Sequence, residues 1–246
     1  MIPKQLLKFY LVSLVLVLVY NNCFSQNLVS DSSTPGYKNA VAFYNQSLAR
    51  ELHLFNGREN KPYTHKFRTG TPYFLTDNWS KGSIDYDGKL YENVSLMYDV
   101  ARDEVVYLYF DEMSSIQIEK EKVSAFSVMG HHFIHITPDS LGSMVPGFYD
   151  ELYNGKLSLL VRRTKNIQEF LNQSGEEFEV FSKDHYFIKK RNEYFPVSSK
   201  RSFLNNLSDK KKELQQYIRR NKFSFKKDIE NAMTKSLAYY DQLINM

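Results

Sequence analysis

Gly82-Ser83-Ile84-Asp85-Tyr86-Asp87-Gly88-Lys89-Leu90-Tyr91 is the stretch on which the fold class turns. Residues 82–86 alternate, Asp87-Gly88 interrupts, and an extended pattern resumes over residues 90–98. Asp-Gly between two extended runs is a hairpin signal, because a type I′ turn needs positive φ at both central positions. Asn154-Gly155 repeats the device between residues 148–153 and 156–163. The period of two holds from Pro72 to Val197. Within it, further strands are predicted over residues 104–110, 116–119, 123–128, 132–136, 178–181 and 186–189. Residues 194–197 are expected to pair back across Arg191-Asn192. Successive strands with short turns make an antiparallel meander, not a parallel α/β sheet. The 18 Tyr and 18 Phe agree, since both sit well on a half-buried pleated surface.

The flanks of this region have helical period. Val41, Tyr44, Leu48, Leu52 and Phe55 recur at three- and four-residue spacing and predict a helix over residues 38–55, ended by Asn56-Gly57. Residues 199–207 read as a short helix or turn. Ser208 is placed to cap a helix running to about Asn221. A last helix over residues 228–244 carries Ile229, Ala232, Met233, Leu237, Tyr240 and Leu243 on one stripe, which implies docking. The expected class is α+β: a curved antiparallel sheet or partial barrel with an N-terminal helix and C-terminal helices packed on it.

The first residues read as an export signal. Lys4 and Lys8 precede an almost wholly apolar run from Phe9 to Tyr20, and Cys23-Phe24-Ser25 offers small residues three before and one before a cut at Gln26. The run is about a dozen residues, whereas a membrane span needs about 20. Expected organisation is a signal over 1–25, a flexible leader over 26–36, a helix plus antiparallel β domain over 37–197, and a helical region over 198–246. The processed chain would be periplasmic or extracellular, with no transmembrane span. The minority alternative is an outer-membrane lipoprotein anchored through Cys23, but Tyr20 and Asn22 stand where lipoprotein signals usually carry Leu and a small residue. Cys23 is the only cysteine, so cleavage after Ser25 leaves no thiol for a disulfide, a nucleophile or a zinc site.

Three stretches carry a resemblance: Trp79 through Val94 with Leu96-Met97-Tyr98-Asp99, Gly147 through Gly155, and the ending Lys210-Lys211-Lys212-Glu213-Leu214 with Tyr239-Tyr240-Asp241. Together they resemble a family of exported, uncharacterised proteins of Bacteroidota bacteria. The resemblance implies a cell-envelope or secreted location. It brings no activity and no functional residue with it.

Charge is unevenly placed. Residues 26–185 hold 16 Lys or Arg against 22 Asp or Glu, and residues 186–246 hold 14 against 6. At 100° per residue, Lys212, Gln216 and Arg219 fall opposite Leu214 and Ile218. Lys210, Lys211, Lys212, Arg219, Arg220 and Lys222 are therefore the candidate surface for an anionic partner such as a lipid headgroup, lipopolysaccharide or an acidic glycan. The competing reading is a solvated face, its charge partly complementing the acidic sheet. Export disfavours nucleic acid.

Catalytic signatures are sparse. His131 and His135 share a strand face and His132 takes the other, but positions four apart on a strand are about 13 Å apart, too far to share one zinc ion. Ser208 lies three before Lys211, but capping explains Ser208 and the lysine lacks evident desolvation. Asp85, Asp87, Asp99, Asp103 and Glu104 cluster around predicted turns without EF-hand spacing. No Gly-rich phosphate loop, His-Glu-x-x-His helix or Gly-x-Ser-x-Gly elbow occurs. The single Trp79 weakens a sugar-platform reading. No catalytic residue, cofactor or metal is predicted. The expected function is a non-catalytic envelope protein binding a partner or an apolar ligand, with a lipid or lipoprotein carrier as one form. The alternatives are a hydrolase acting on an envelope polymer and a structural surface component.

Overall fold

The computed structural model describes residues 34–47, 57–109, 112–137, 144–172, 175–191 and 193–245. The expected signal and most of the leader lie outside the described residues, as do 48–56, where the expected end of the first helix falls. The chain divides into two compact units, Met1–Leu52 and His53–Met246. In the first, α1 spans Pro35–Ser47, starting three residues before the predicted helix. Pro35 suits a first-turn position, where its missing N–H costs no bond.

The second unit is built on one sheet. Its strands are β1 (Arg58–Glu59), β2 (Phe67–Thr69), β3 (Ser80–Tyr86), β4 (Lys89–Asp99), β5 (Glu104–Leu108), β6 (Ser115–Gln117), β7 (Val123–Val128), β8 (His131–Ile136), β9 (Gly147–Asn154), β10 (Ser158–Asn172), β11 (Gly175–Lys190) and β12 (Glu193–Val197). The order is β1-β6-β5-β4-β3-β7-β8-β9-β10-β11-β12, so the sheet is open, not a closed barrel. Neighbours along this path are antiparallel, but β2 runs parallel to β11 at Phe67↔Phe178, which makes the sheet mixed. That corrects the wholly antiparallel expectation. A three-residue strand with no turn to its partner leaves no local signal of direction.

The Asp87-Gly88 turn has φ of 53° and 73°, the positive pair a type I′ turn requires. Met129-Gly130 does the same between β7 and β8, with φ of 53° and 78°. Asn154-Gly155 departs from the expectation. Asn154 pairs with Ser158 across a three-residue loop, and the Asp241 carboxylate accepts from the Lys156 N–H at 2.9 Å and the Tyr153 hydroxyl at 2.7 Å. A residue from the last helix thus shapes this loop. Residues 178–181 and 186–189 prove to be one strand, and β10 runs nine residues past the predicted end at Arg163.

Three helices close the unit. Ser199 caps α2 (Lys200–Asn206) in a reciprocal capping box with Ser202. Ser208 does not cap α3 (Lys211–Arg220). It opens a short 3₁₀ turn, and Lys210 takes the cap position without a side-chain bond. Asp228 caps α4 (Ile229–Leu243) by accepting from the Asn231 N–H. Leu159, Ile188 and Val197 of the sheet form one core with Phe203, Leu214, Ile218, Met233, Leu237 and Tyr240 of the helices. Elsewhere in the sheet, Phe126 of β7 and Phe133 of β8 stack with centroids 4.7 Å apart, and Tyr98 of β4, Phe148 of β9 and Phe74 of the segment before β3 meet one or both of them edge-on. Rings at these distances fill this part of the interior with large apolar area.

Candidate functional site

Arg162 and Arg163 follow Leu159-Leu160-Val161 on β10. Successive strand residues point to opposite sides, so the two guanidiniums go to different partners. Arg162 donates to the Phe148 carbonyl and to Asp103, each at 2.9 Å. Asp103 also accepts from the Tyr98 hydroxyl at 2.6 Å and from Lys120. Burial works to raise the Asp103 carboxyl, but Arg162, Lys120 and Tyr98 outweigh it and hold it below the usual carboxylate range.

Arg163 donates to Asp150 at 2.6 Å, to Asp184 at 3.0 Å and to Glu230 at 2.7 Å. These carboxylates come from β9, β11 and α4. Burial opposes the charge on Arg163, but the bonds to Glu230 and Asp150 outweigh it, and the guanidinium stays firmly protonated. His131, the first residue of β8, sets its Nδ1 2.8 Å from the same Asp150 oxygen. The other oxygen, Oδ1, is buried without a partner. An unpartnered carboxylate oxygen on a side chain 1% exposed costs free energy that the rest of the cluster must offset.

This cluster forms one wall of a cavity of about 470 Å³. Phe74, Leu75 and Val100 supply its apolar side, and His131, Arg163, Lys165, Asp184 and Glu230 its polar side. The size falls in the range of small-molecule sites, as does a mostly apolar lining with a few convergent polar groups. Lys165 Nζ donates to the carbonyls of Thr71 and Tyr73, so two of its three ammonium protons are committed and one is left over. Burial lowers its pKa below the usual lysine range, against the attraction of Asp184 and Asp99.

Leu75 stands at the mouth, 63% exposed. Its φ is 57°, and the Thr76 N–H donates to the Phe74 carbonyl at 2.6 Å, closing a γ-turn around it. This turn form is rare and strained, and strain of this kind persists where the surroundings over-determine it.

The predicted basic residues fall into separate places. Lys212, Arg219 and Lys222 line an open concavity of about 580 Å³ with Lys200. Arg220 lies on an adjacent one, about 290 Å³, beside Glu213, Tyr217 and Tyr239. Lys211 bonds Asn205 at 2.8 Å, and Lys210 is half-buried in the 3₁₀ turn. Ser208 and Lys211 are not bonded to each other, and each has the structural role just given. The three histidines also part: His132 meets the Ser127 hydroxyl and His135 the Val123 carbonyl. Among the described residues, no group of three or more His, Cys, Asp or Glu could hold a metal ion. Asp99 and Asp103 flank the β4–β5 turn, as expected. Both are buried, Asp99 accepting from Tyr63 at 2.9 Å and from the Arg102 N–H at 3.0 Å.

Sequence reading missed the Arg163 cluster. The available signal was a pair of arginines directly after a Leu-Leu-Val run, since charges on a buried strand need partners. Among the described residues, no helix is long and apolar enough to cross a membrane. No protein-family model matches the chain, and no curated protein or solved structure matches it.

Proposed function

We propose that this is a non-catalytic binding protein of the cell envelope, taking a small ligand with an apolar body and a hydrogen-bonding head in the cavity beneath Leu75. The observation that carries the reading is Leu75 itself: a large apolar side chain, exposed, held at the cavity mouth by a strained turn. The apolar body would lie against Phe74, Leu75 and Val100, and the head would take the remaining Lys165 proton. A lipid or lipoprotein carrier is the larger-ligand form. The stacked rings of Phe126 and Phe133 occupy interior space that a buried acyl chain would need, which favours the smaller ligand.

Ser182 is exposed and lines the cavity, so Ser182→Trp fills the space without entering the core. In a ligand-observed NMR screen of small amphipathic molecules, hits are expected to share an apolar body and polar head and to lose binding to Ser182→Trp. Hits that bind the variant equally well would overturn the cavity assignment.

Export is part of the proposal and is supported by the N-terminal pattern of charge, apolar run and small residues. Mass spectrometry of the processed N-terminus is expected to find Gln26. A lipid-modified Cys23 would instead make the chain a tethered lipoprotein.

A second reading, a hydrolase, is favoured by one observation. Asp150 at His131 Nδ1 holds the imidazole in the tautomer whose Nε2 can accept a proton, and His131 lines the cavity. It expects turnover of chromogenic ester or glycoside substrates that His131→Gln abolishes. Turnover unaffected by that change would exclude this site.

A further inference from the structure

The end of α3 carries a residue of unusual type. Asn221 is the C-cap, and Lys222 follows with φ of 55°. The Lys222 N–H donates to the Arg219 carbonyl at 3.2 Å and the Phe223 N–H to the Ile218 carbonyl at 3.1 Å. This is the Schellman pattern, whose left-handed position usually holds Gly because a Cβ is disfavoured there. Here a lysine holds it, and its side chain lines the concavity of about 580 Å³. Lys200, Lys212 and Arg219 line the same space, and Ile218 and Phe223 form its apolar floor. No carboxylate lines it. None of the four cations makes an ion pair or side-chain hydrogen bond among the described residues.

Four unpaired cations around one concave space repel one another unless an anion joins them. A guanidinium beside ammoniums matches the geometry of phosphate oxygens. The space is far larger than one phosphate, and its floor is apolar. We infer that this concavity binds the phosphate-bearing headgroup of an anionic phospholipid at a membrane surface. The site is separate from the cavity beneath Leu75 and shares no residue with it, so either reading can fail alone.

The test is co-sedimentation of the processed chain with vesicles of phosphatidylcholine alone or containing about 30% phosphatidylglycerol, a negative surface that attracts cations. Binding is expected to the second only, and to weaken with salt. Lys212→Ala and Arg219→Ala are each expected to weaken it roughly fivefold. Lys222→Gly is the sharper variant. It restores the residue the backbone favours, so its Tm should equal or exceed the parent's while vesicle binding falls by a similar factor. Equal binding to both vesicle types would overturn the inference, as would undiminished binding by all three variants. Binding of inorganic pyrophosphate without vesicle binding would overturn the membrane source.

Discussion

Arg163→Ala lowers the unfolding free energy by about 4 kcal/mol, within the range measured when one partner of a buried ion pair is removed. The size follows from what is left behind. Asp150 is 1% exposed and already has one unpartnered oxygen. Without Arg163 its remaining side-chain partner is His131, and Asp184 and Glu230, which share Arg163 with it, add like charge nearby. In a unit of this size each kcal/mol shifts Tm by roughly 2–4 °C, so a fall on the order of 10 °C is expected by thermal denaturation. Adding Asp150→Asn should return part of the loss, because it removes the stranded charge. A double variant no more stable than Arg163→Ala alone would show that the ion cluster does not set the energetics of this wall.

Asp103→Asn is the second large effect, and it depends on pH. Asp103 is bound by Arg162, Lys120 and Tyr98, and its folded carboxyl sits below the ordinary value of 3.8. A depressed carboxylate contributes stability that is present above its unfolded pKa and lost as pH falls through the folded one. The variant should therefore be less stable at neutral pH by about 3 kcal/mol, since Arg162 and Lys120 lose their anion while keeping some solvent contact. Its stability should also fall less steeply than the parent's below about pH 4. Asp99 acts in the opposite sense: burial raises its carboxyl, so protonation favours the folded form and offsets part of the acid loss. Urea titrations of parent and variant from neutral to acid pH check both the loss at neutral pH and the shallower acid slope expected of Asp103→Asn. Parallel curves would contradict the assignment to Asp103.

The hairpins were legible because their signals are local. Asp87-Gly88 names its own turn, and β7 occupies residues 123–128 as its alternation predicts. The apolar stripe of α4 and the outward Lys212 and Arg219 of α3 were legible for the same reason. The outer half of β10 was not. Lys165-Asn166-Ile167-Gln168-Glu169 is poor in strand formers, and its extension comes from pairing with β11 in unbroken register from Ser158↔Lys189 to Asn172↔Gly175. The candidate site was hidden by distance along the chain. Asp150, Asp184 and Glu230 lie 13, 21 and 67 residues along the chain from Arg163, which joins them. Leu75 was equally hidden, since its positive φ contradicts what its residue type favours.

Native mass spectrometry of the processed chain, recovered gently from its own host's envelope fraction, tests the central claim most directly. The parent should carry an added small-molecule mass that is released on unfolding and absent from Ser182→Trp. A bare chain mass in both proteins, or the same added mass in both, would contradict a ligand site in the cavity beneath Leu75.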